Sequence, residues 1–378
     1  MTLRPTNEAE VAEAIRTADG PLEIRGGGSR MTLGAPVQAA RTLDISGLSG
    51  VSLYEPGALT LVAGAGTPLA EIEALLAAEN QRLAFEPMDH RALLGQGGEP
   101  TIGGVAACNV SGPRRVQAGA CRDSMIGVRF VDGAGRAVKN GGRVMKNVTG
   151  YDLVKLMAGS YGSLGVLTEV AFKLLPAPEA SATLAVRCVD DAGAVRAMSA
   201  ALTSPYDVTG AAYLPGRGAF IRIEGLAGSV AYRAGRLTEV LAKHGEVTPH
   251  DDADLWPAIR DARGFADAPG AVWRLSLRPS DAPGVVALIA QSRSVRTMFD
   301  WGGGLVWLLT GDDDDAGATA IRAAVAGKGH ATLVRAPAAI RAQVPPFQPE
   351  AAALTAISRG LRARFDPRGI LNPGRMGA

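Results

Sequence analysis

A run of three glycines is the part of the sequence whose residue types most directly suggest chemistry. Segment 25–30 reads RGGGSR and follows the short apolar run 22–24. Glycine is costly to fix in place, so three in a row indicate a tight turn or a close approach of the backbone to another group. Converging backbone N–H groups that no side chain covers can bind an anion such as phosphate. Taken alone, the segment is equally typical of a plain tight loop.

Two common nucleotide-binding motifs do not fit this segment. In a G-x-G-x-x-G pattern that begins with Gly26 and Gly28, the third glycine would fall on Met31. Gly34 and Pro36 interrupt any helix that would follow. The P-loop pattern G-x-x-x-x-G-K-[ST] does not occur in the sequence either. Neither a dinucleotide-binding Rossmann motif nor a P-loop is therefore predicted.

The overall composition is that of an ordinary globular protein, and the length of 378 residues favours two domains. The net charge is +2 without a basic block, so binding to nucleic acid is not indicated. Cys108, Cys121 and Cys188 are too few and too scattered for a disulfide framework or an iron–sulfur cluster. There is no signal-peptide pattern and no apolar run of about twenty residues, so we expect no transmembrane segment and a cytoplasmic location.

Local patterns predict the elements that must position segment 25–30. An amphipathic helix with Thr6 as its cap should precede it. Residues 128–131 and 136–139 should form a hairpin, and residues 165–176 a buried strand. From about residue 180, strands alternate with Ala-rich helices, which predicts an antiparallel sheet covered by helices on one side. The fold class expected is α+β, with a domain boundary at the proline-rich segment that begins at Pro176.

Five segments occur in a fixed order along the chain: RGGGSR, TIGGVAACNVSGP, GACRDSMIGVRFVDGAGRAV, GSYGSLGVLTEV and FDPRGILNPGRM. This ordered set resembles the FAD-binding domain of the vanillyl-alcohol oxidase/p-cresol methylhydroxylase (PCMH) superfamily. The resemblance implies a PCMH-type FAD-binding domain of two α+β subdomains over residues 1–178. It further implies an α+β cap domain with an antiparallel sheet over residues 179–345, and a helix and tail over residues 346–378 that return to the FAD domain.

The resemblance also implies where FAD would bind. Segment 25–30 would bind the pyrophosphate, 101–104 would pass near the pyrophosphate and ribose, and 109–112 would run close to the isoalloxazine. Asp123 would form a hydrogen bond in the adenosine half of the site, and segment 162–167 would wrap the adenine. The tail would reach the flavin edge, where a cation favours the anionic reduced flavin. The implied FAD-binding residues are Arg25, Gly26, Gly27, Gly28, Ser29, Arg30, Thr101, Ile102, Gly103, Gly104, Asn109, Ser111, Gly112, Asp123, Gly162, Gly165, Val166, Leu167, Asn372 and Arg375. Family members often attach FAD through a histidine just after the first loop, but this chain reads SRMT at 29–32, so the FAD is expected to be non-covalent.

Segment 144–170 resembles the D-lactate/glycolate dehydrogenase branch, whose members carry histidine-rich segments that assemble a metal site beside the flavin. In this chain the corresponding segments, 299–311 and 334–350, contain no histidine. The four histidines of the chain are His90, His244, His250 and His330. His244 and His250 lack helical ligand spacing and are interpreted as surface histidines, and His90 as a loop histidine. No metal site is expected.

Segments 255–265, 300–308 and 372–376 resemble the FAD-binding E subunits of bacterial glycolate oxidases, and this resemblance runs over nearly the whole chain. It implies a complex that oxidises glycolate to glyoxylate. In it a larger FAD-binding subunit would carry the histidine segments, an iron–sulfur subunit would relay electrons, and this chain would be accessory. The complex would be cytoplasmic or held at a membrane through its partners. Catalytic residues are not identified.

Two alternatives stay open. One is a self-sufficient FAD-dependent 2-hydroxy-acid dehydrogenase, acting on glycolate or D-lactate, in which Arg260, Arg263 or Arg274 would hold the substrate carboxylate. The other is a structural subunit with a vestigial flavin site, because glycines can also be needed for folding alone.

Overall fold

In the computed structural model, which describes residues 1–142 and 150–377, the chain begins with a small parallel sheet. Its strand order is β1-β3-β2, with β1 at Thr2–Leu3, β2 at Leu22–Arg25 and β3 at Arg41–Asp44. Helix α1, Glu8–Arg16, joins β1 to β2 and buries Val11 and Ile15. The helix cap was predicted wrongly: Asn7 accepts the backbone N–H of Glu10 at 3.0 Å, whereas the Thr6 N–H donates to the Glu10 carboxylate. The capping oxygen thus comes from the next residue along.

The second sheet is antiparallel and centred on one long strand. Its order is β4-β5-β9-β7-β8, and β6 pairs with the far end of β9. The strands are β4 Val51–Glu55, β5 Thr60–Gly64, β6 Gln81–Leu83, β7 Met125–Val131, β8 Ala137–Gly141 and β9 Val166–Pro176. The helices around them are α2 Leu69–Ala78, α3 Arg91–Leu94, α4 Ile102–Ala107, α5 Arg115–Ala118, α6 Cys121–Ser124 and α7 Leu153–Met157. The predicted hairpin (β7 and β8) and the buried strand (β9) are both confirmed.

The third sheet has eight strands in the order β13-β10-β12-β11-β15-β16-β14-β17, and every neighbouring pair is antiparallel. Its strands are β10 Ala180–Val186, β11 Val208–Leu214, β12 Gly218–Gly225, β13 Val247–Pro249, β14 Ala271–Leu277, β15 Val295–Asp300, β16 Leu305–Thr310 and β17 Gly329–Arg335. The intervening helices are α8 Asp191–Leu202, α9 Ala227–Leu241, α10 Leu255–Arg260, α11 Ala282–Ala290 and α12 Ala318–Val325. Apolar residues of α8, α9, α11 and α12 pack on one face of this sheet. Residues of the other face, such as Met298 and Trp307, join the core of the N-terminal sheets. The predicted α+β sheet with helices on one side is confirmed.

The C-terminal part returns to the first sheet. After α13, Ala338–Gln343, and α14, Ala352–Phe365, the tail lies beside β2. The Leu22 N–H donates to the Ile370 carbonyl at 2.8 Å, and the Asn372 N–H donates to the Leu22 carbonyl at 3.0 Å. The predicted return of the tail is therefore confirmed. In the described part of the chain, no helix combines the length and the apolar character that a bilayer crossing requires.

Candidate cofactor-binding site

Of the three glycines after β2, two are required by contacts within the chain itself and the third by its backbone conformation. A Cβ on Gly26 would lie 2.3 Å from Thr101 Oγ1, and a Cβ on Gly27 would lie 2.0 Å from the Glu99 carbonyl oxygen. Gly28 has open space around it but a φ of +81°, which side-chain-bearing residues rarely adopt. The Glu99 N–H donates to the Gly27 carbonyl at 2.9 Å. The loop is thus held bare against the segment that carries Thr101.

This loop forms one wall of a cleft with about 700 Å³ of empty volume, which we call the first cleft. The other walls come from the start of α4, from the loop between α7 and β9, and from the tail. The fold therefore brings together segments from both ends of the chain. The predicted residues that line the first cleft are Arg25, Gly26, Gly27, Gly28, Ser29, Arg30, Thr101, Gly103, Gly104, Gly162, Gly165, Leu167, Asn372 and Arg375.

The other predicted residues lie outside the first cleft. Asn109, Ser111 and Gly112 line a second, adjoining cleft. The Ile102 and Val166 side chains are fully buried in the core, so only their backbone groups could face a ligand. The Asp123 carboxylate accepts the Ala120 N–H at 2.8 Å at the start of α6. Its assignment to the adenosine half of FAD stays a prediction.

Arg30 places a positive charge in the first cleft without a carboxylate partner in the described residues. Its guanidinium donates to the Met88 carbonyl at 3.0 Å and from Nε to His90 Nδ1 at 3.3 Å. Asp89, the nearby acid, instead pairs with Arg91 at 2.8 Å. Burial lowers the pKa of Arg30, which is the cost of holding the cation away from water. A buried, unpaired arginine beside a glycine loop fits the phosphates of FAD.

His90 is a residue whose role the sequence did not reveal. We predicted a loop histidine, but the side chain is buried and its Nδ1 accepts the Arg30 Nε–H. Burial, followed by the charge of Arg30, lowers the pKa of His90 to about 3. The imidazole is therefore neutral at ordinary pH and orients Arg30. Only the position of His90 in the fold could show this, because the two residues lie far apart in the sequence.

The two predicted tail residues, Asn372 and Arg375, form hydrogen bonds and an ion pair within the chain itself. Asn372 Oδ1 accepts the Ile24 N–H at 2.8 Å, and its Nδ2 donates to the Tyr161 carbonyl at 2.8 Å. Arg375 donates to the Met31 carbonyl at 2.7 Å and pairs with Glu23 at 3.2 Å. Both residues line the first cleft, and both also fasten the tail to the loop after β2. Their predicted contact with the flavin edge stays a prediction.

The second cleft, with about 600 Å³ of empty space that includes open solvent, lies between segment 109–112 and the inner face of the eight-stranded sheet. Leu33, Cys108 and Tyr161 line both clefts, so the two adjoin. The sheet contributes Arg274 and Asp300. Burial raises the pKa of Asp300 to about 7.

The three arginines weighed as carboxylate-binding residues differ in their partners. Arg260 donates two hydrogen bonds of 2.8 Å to Asp261, and Arg263 pairs with Asp254 at 2.7 Å. The electrostatic neighbours of Arg274 are Tyr161 and Arg115 rather than an acid.

Potential metal ligands are dispersed. Within residues 1–142 and 150–377, no three His, Cys, Asp or Glu side chains lie close enough to hold a metal ion. Segment 144–170 carried the resemblance to the D-lactate/glycolate dehydrogenase branch, and its residues 144–149 lie outside the described residues.

Comparison with known proteins agrees with this geometry. Residues 1–141 match the family model of an FAD binding domain. The chain is 39% identical over 357 residues to the glycolate oxidase subunit GlcE of Escherichia coli (strain K12), an alignment that covers 94% of this chain and 92% of that protein. It is 29% identical over 186 residues to the glycolate oxidase subunit GlcD of Bacillus subtilis (strain 168), which covers 48% of this chain and 38% of that protein. The structure of an alkyldihydroxyacetonephosphate synthase shares the fold, with a TM-score of 0.73 at 16% identity over 98% of this chain and 76% of that one. The chain therefore belongs to the family of the glycolate oxidase subunit GlcE, and its N-terminal part is an FAD-binding domain.

Proposed function

We propose that this chain is the FAD-binding subunit of a glycolate oxidase complex that oxidises glycolate to glyoxylate, accessory to a larger flavoprotein subunit. An iron–sulfur subunit would take the electrons onward. In the complex, the FAD of the larger subunit would accept the hydride from the substrate carbon. The relationship to GlcE, which is named as one subunit of a glycolate oxidase, supports this assignment.

The observation that carries the proposal is the first cleft with Arg30, whose guanidinium has no carboxylate partner among the described residues. Arg30 lies beside a loop whose glycines keep the backbone bare, so both charge and N–H groups are available to a pyrophosphate. Arg30, Gly26 and Thr101 all line this cleft. FAD is proposed to bind here without a covalent bond, because no histidine follows the loop at 29–32.

Two measurements test the proposal. The purified chain should hold about one FAD, and acid precipitation should leave the yellow colour in the supernatant. A yellow pellet would show a covalent bond. Co-expressed with the larger flavoprotein subunit and the iron–sulfur subunit, the chain should co-purify and support glycolate-dependent dye reduction. A complex that forms and turns over equally well without this chain would contradict the accessory role.

A second candidate function, the self-sufficient dehydrogenase, has one observation in its favour. Asp300 lines the same cleft as Arg274, which forms no ion pair within residues 1–142 and 150–377, and the Asp300 pKa of about 7 suits proton transfer at neutral pH. Turnover of the isolated chain with glycolate and a dye would support it.

The division into residues 1–178, 179–345 and 346–378 also belongs to the proposal. It is supported by the change of sheet between the end of β9 at Pro176 and the start of β10 at Ala180. Limited proteolysis should cut first near this junction.

A further inference from the structure

We propose that one exposed face of helix α14 is the docking surface for the larger flavoprotein subunit of the complex. The face consists of Leu354, Ile357 and Leu361 with Gly360 beside them, and we call it the α14 face. The identity of the partner rests on the proposed function, whereas the docking character rests on the helix itself. The expected counterpart is an apolar groove whose rim carries carboxylates.

Helix α14 packs unusually little for its length. All of its 14 residues are described, and none of them is buried. Among the described elements, no helix or strand packs along it. An isolated helix of this length is only marginally stable in water, and helices in proteins gain most of their stability by packing an apolar face. Within the described chain, α14 therefore lacks the packing surface that such a helix normally has.

The three large aliphatic side chains of α14 lie on one face of the helix. Leu354, Ile357 and Leu361 occur at the spacing i, i+3 and i+7, at which a helix presents its anchors to an apolar groove. They are 55%, 60% and 37% exposed. Single exposed apolar residues are ordinary, but three that line up on one helix form a patch that indicates an interaction site.

Gly360 adds an observation that the chain itself does not explain. It lies inside α14, and a Cβ there would meet no atom of the described chain within 4 Å. Glycine inside a helix costs stability relative to alanine. Gly27 of the first loop shows the contrast, because a Cβ there would lie 2.0 Å from the Glu99 carbonyl oxygen. A partner whose backbone approaches α14 closely would give Gly360 the same kind of reason.

Both ends of α14 are fastened to the body of the protein. Before the helix, the Leu333 N–H of β17 donates to the Pro346 carbonyl at 2.7 Å. At its end, the Gly133 N–H donates to the Phe365 carbonyl at 2.8 Å, and the centre of the Phe365 ring lies 6.1 Å from that of Phe130. The α14 face is therefore held in a fixed position, which lowers the entropic cost of association.

The charges of α14 favour an acidic partner over a second copy of this chain. The helix carries Arg359, Arg362 and Arg364 and no Asp or Glu. Within residues 1–142 and 150–377 none of the three forms an ion pair, and Arg362 donates to the Gly377 carbonyl at 3.1 Å. Two copies packed symmetrically through α14 would bring these arginines towards one another, whereas carboxylates around a groove would pair with them.

A lipid surface suits the α14 face less well than a protein groove does. Interfacial helices bind more strongly as they insert more apolar area, and many carry aromatic residues on the inserted face. The described residues of the α14 face are three aliphatic side chains and a glycine, and the one aromatic residue of the helix, Phe365, packs on Phe130. The glycine reduces the inserted area but permits close approach of another backbone.

The test measures binding of the purified larger flavoprotein subunit to the FAD-loaded chain by titration calorimetry. Ile357→Asp and Gly360→Leu should each weaken binding at least about tenfold, because the first brings a charge into the groove and the second fills the space of the close approach. The matched control is Leu226→Asp, which changes an apolar residue of similar exposure, 65%, at the start of α9. It should leave the affinity unchanged.

Thermal unfolding of the isolated chain separates docking from a structural role. Ile357→Asp should leave the melting temperature unchanged, and Gly360→Leu should leave it unchanged or raise it, because leucine favours a helix more than glycine does. A marked fall in either variant would assign the α14 face to folding and overturn the inference.

The remaining outcomes distinguish this inference from the proposed function. Unchanged affinity in either variant, with intact binding by the wild type, overturns the inference alone, whereas a wild type that does not bind the larger subunit also refutes the proposed function. Dimers of the isolated chain in ultracentrifugation that Ile357→Asp abolishes would assign the face to a second copy. Binding to vesicles of equal parts phosphatidylcholine and phosphatidylglycerol that the same variant abolishes would assign it to lipid. Either result overturns the inference.

Discussion

A buried network of charges links the N-terminal sheets to the eight-stranded sheet, and removing its central carboxylate should destabilise the protein strongly. Glu224 of β12 pairs with Arg82 at 2.7 Å, contacts Arg114, and lies 3.7 Å from Arg222. Its side chain is 7% exposed, and those of Arg114 and Arg222 are 4% and 5% exposed. Burial alone would raise the pKa of Glu224, but the arginines outweigh it and lower the pKa. The folded state therefore holds the ionised form tightly.

Glu224→Gln keeps the shape of the side chain and removes its charge. Arg222 retains Glu86 at 2.8 Å, but Arg114 keeps only neutral acceptors, the Ala84 carbonyl and the Gln117 amide. Breaking a buried ion pair by removing one partner typically costs about 3–5 kcal/mol, since the other charge stays buried. We expect a loss of that size in the free energy of unfolding.

Urea denaturation at neutral pH is the assay, because urea, unlike guanidinium, does not screen charges. The matched control is Glu239→Gln in α9, whose pair with Arg236 is largely exposed, with side chains 63% and 46% exposed. This control should cost less than about 1 kcal/mol. Equal, small losses in both variants would show that the Glu224 network is not a buried link between the sheets.

Three further predictions concern single side chains. Arg30→Gln should weaken FAD binding at least about tenfold in a flavin-fluorescence titration. It should not lower the melting temperature of the FAD-free protein, because Arg30 lacks an ion-pair partner in the described residues. An unchanged affinity would contradict the assignment of Arg30 to the phosphates. The Asp300 pKa is raised from 3.8 to about 7, so the folded state binds the extra proton, and stability should fall by roughly 2–3 kcal/mol as pH rises from 5 to 8. Asp300→Asn should remove this fall, and parallel pH profiles of the two proteins would refute it. Ile357→Asp on α14, where the side chain is 60% exposed, should change the free energy of unfolding by less than about 0.5 kcal/mol. Ile321→Asp in α12, where the side chain is fully buried, should lower the melting temperature strongly. Similar effects of the two variants would show that the Ile357 side chain is buried in the protein.

The family resemblance, carried by the order of the glycine-rich segments, implied most of the residues that line the first cleft. Local periodicity likewise predicted the β7–β8 hairpin and β9, whose apolar positions are close together in sequence. The hairpin and β9 depend on neighbours within a few residues, whereas the first cleft joins segments from both ends of the chain. The sequence around Gly27 does not show why a glycine is needed there. In the folded chain the Glu99 carbonyl lies against Gly27 and leaves no room for a side chain.

The choice among charged residues could not be made from the sequence. Arg260, Arg263 and Arg274 occur in one short region, and two of them are neutralised by Asp261 and Asp254. Which arginine is left unpaired depends on the register of β14 and on the burial of its face. Arg375, the predicted cation of the tail, pairs with Glu23, which is distant in sequence and close only in the folded chain.

We propose that this chain binds FAD in the first cleft as an accessory subunit, and that glycolate does not reduce this flavin in the isolated chain. The most direct test is an anaerobic absorption spectrum of the purified, FAD-loaded chain before and after adding glycolate, repeated with the assembled complex. We expect a flavin band that stays oxidised in the isolated chain and bleaches in the complex. Bleaching of the isolated chain would contradict the accessory role, and the absence of any flavin band after incubation with FAD would contradict the cofactor site itself.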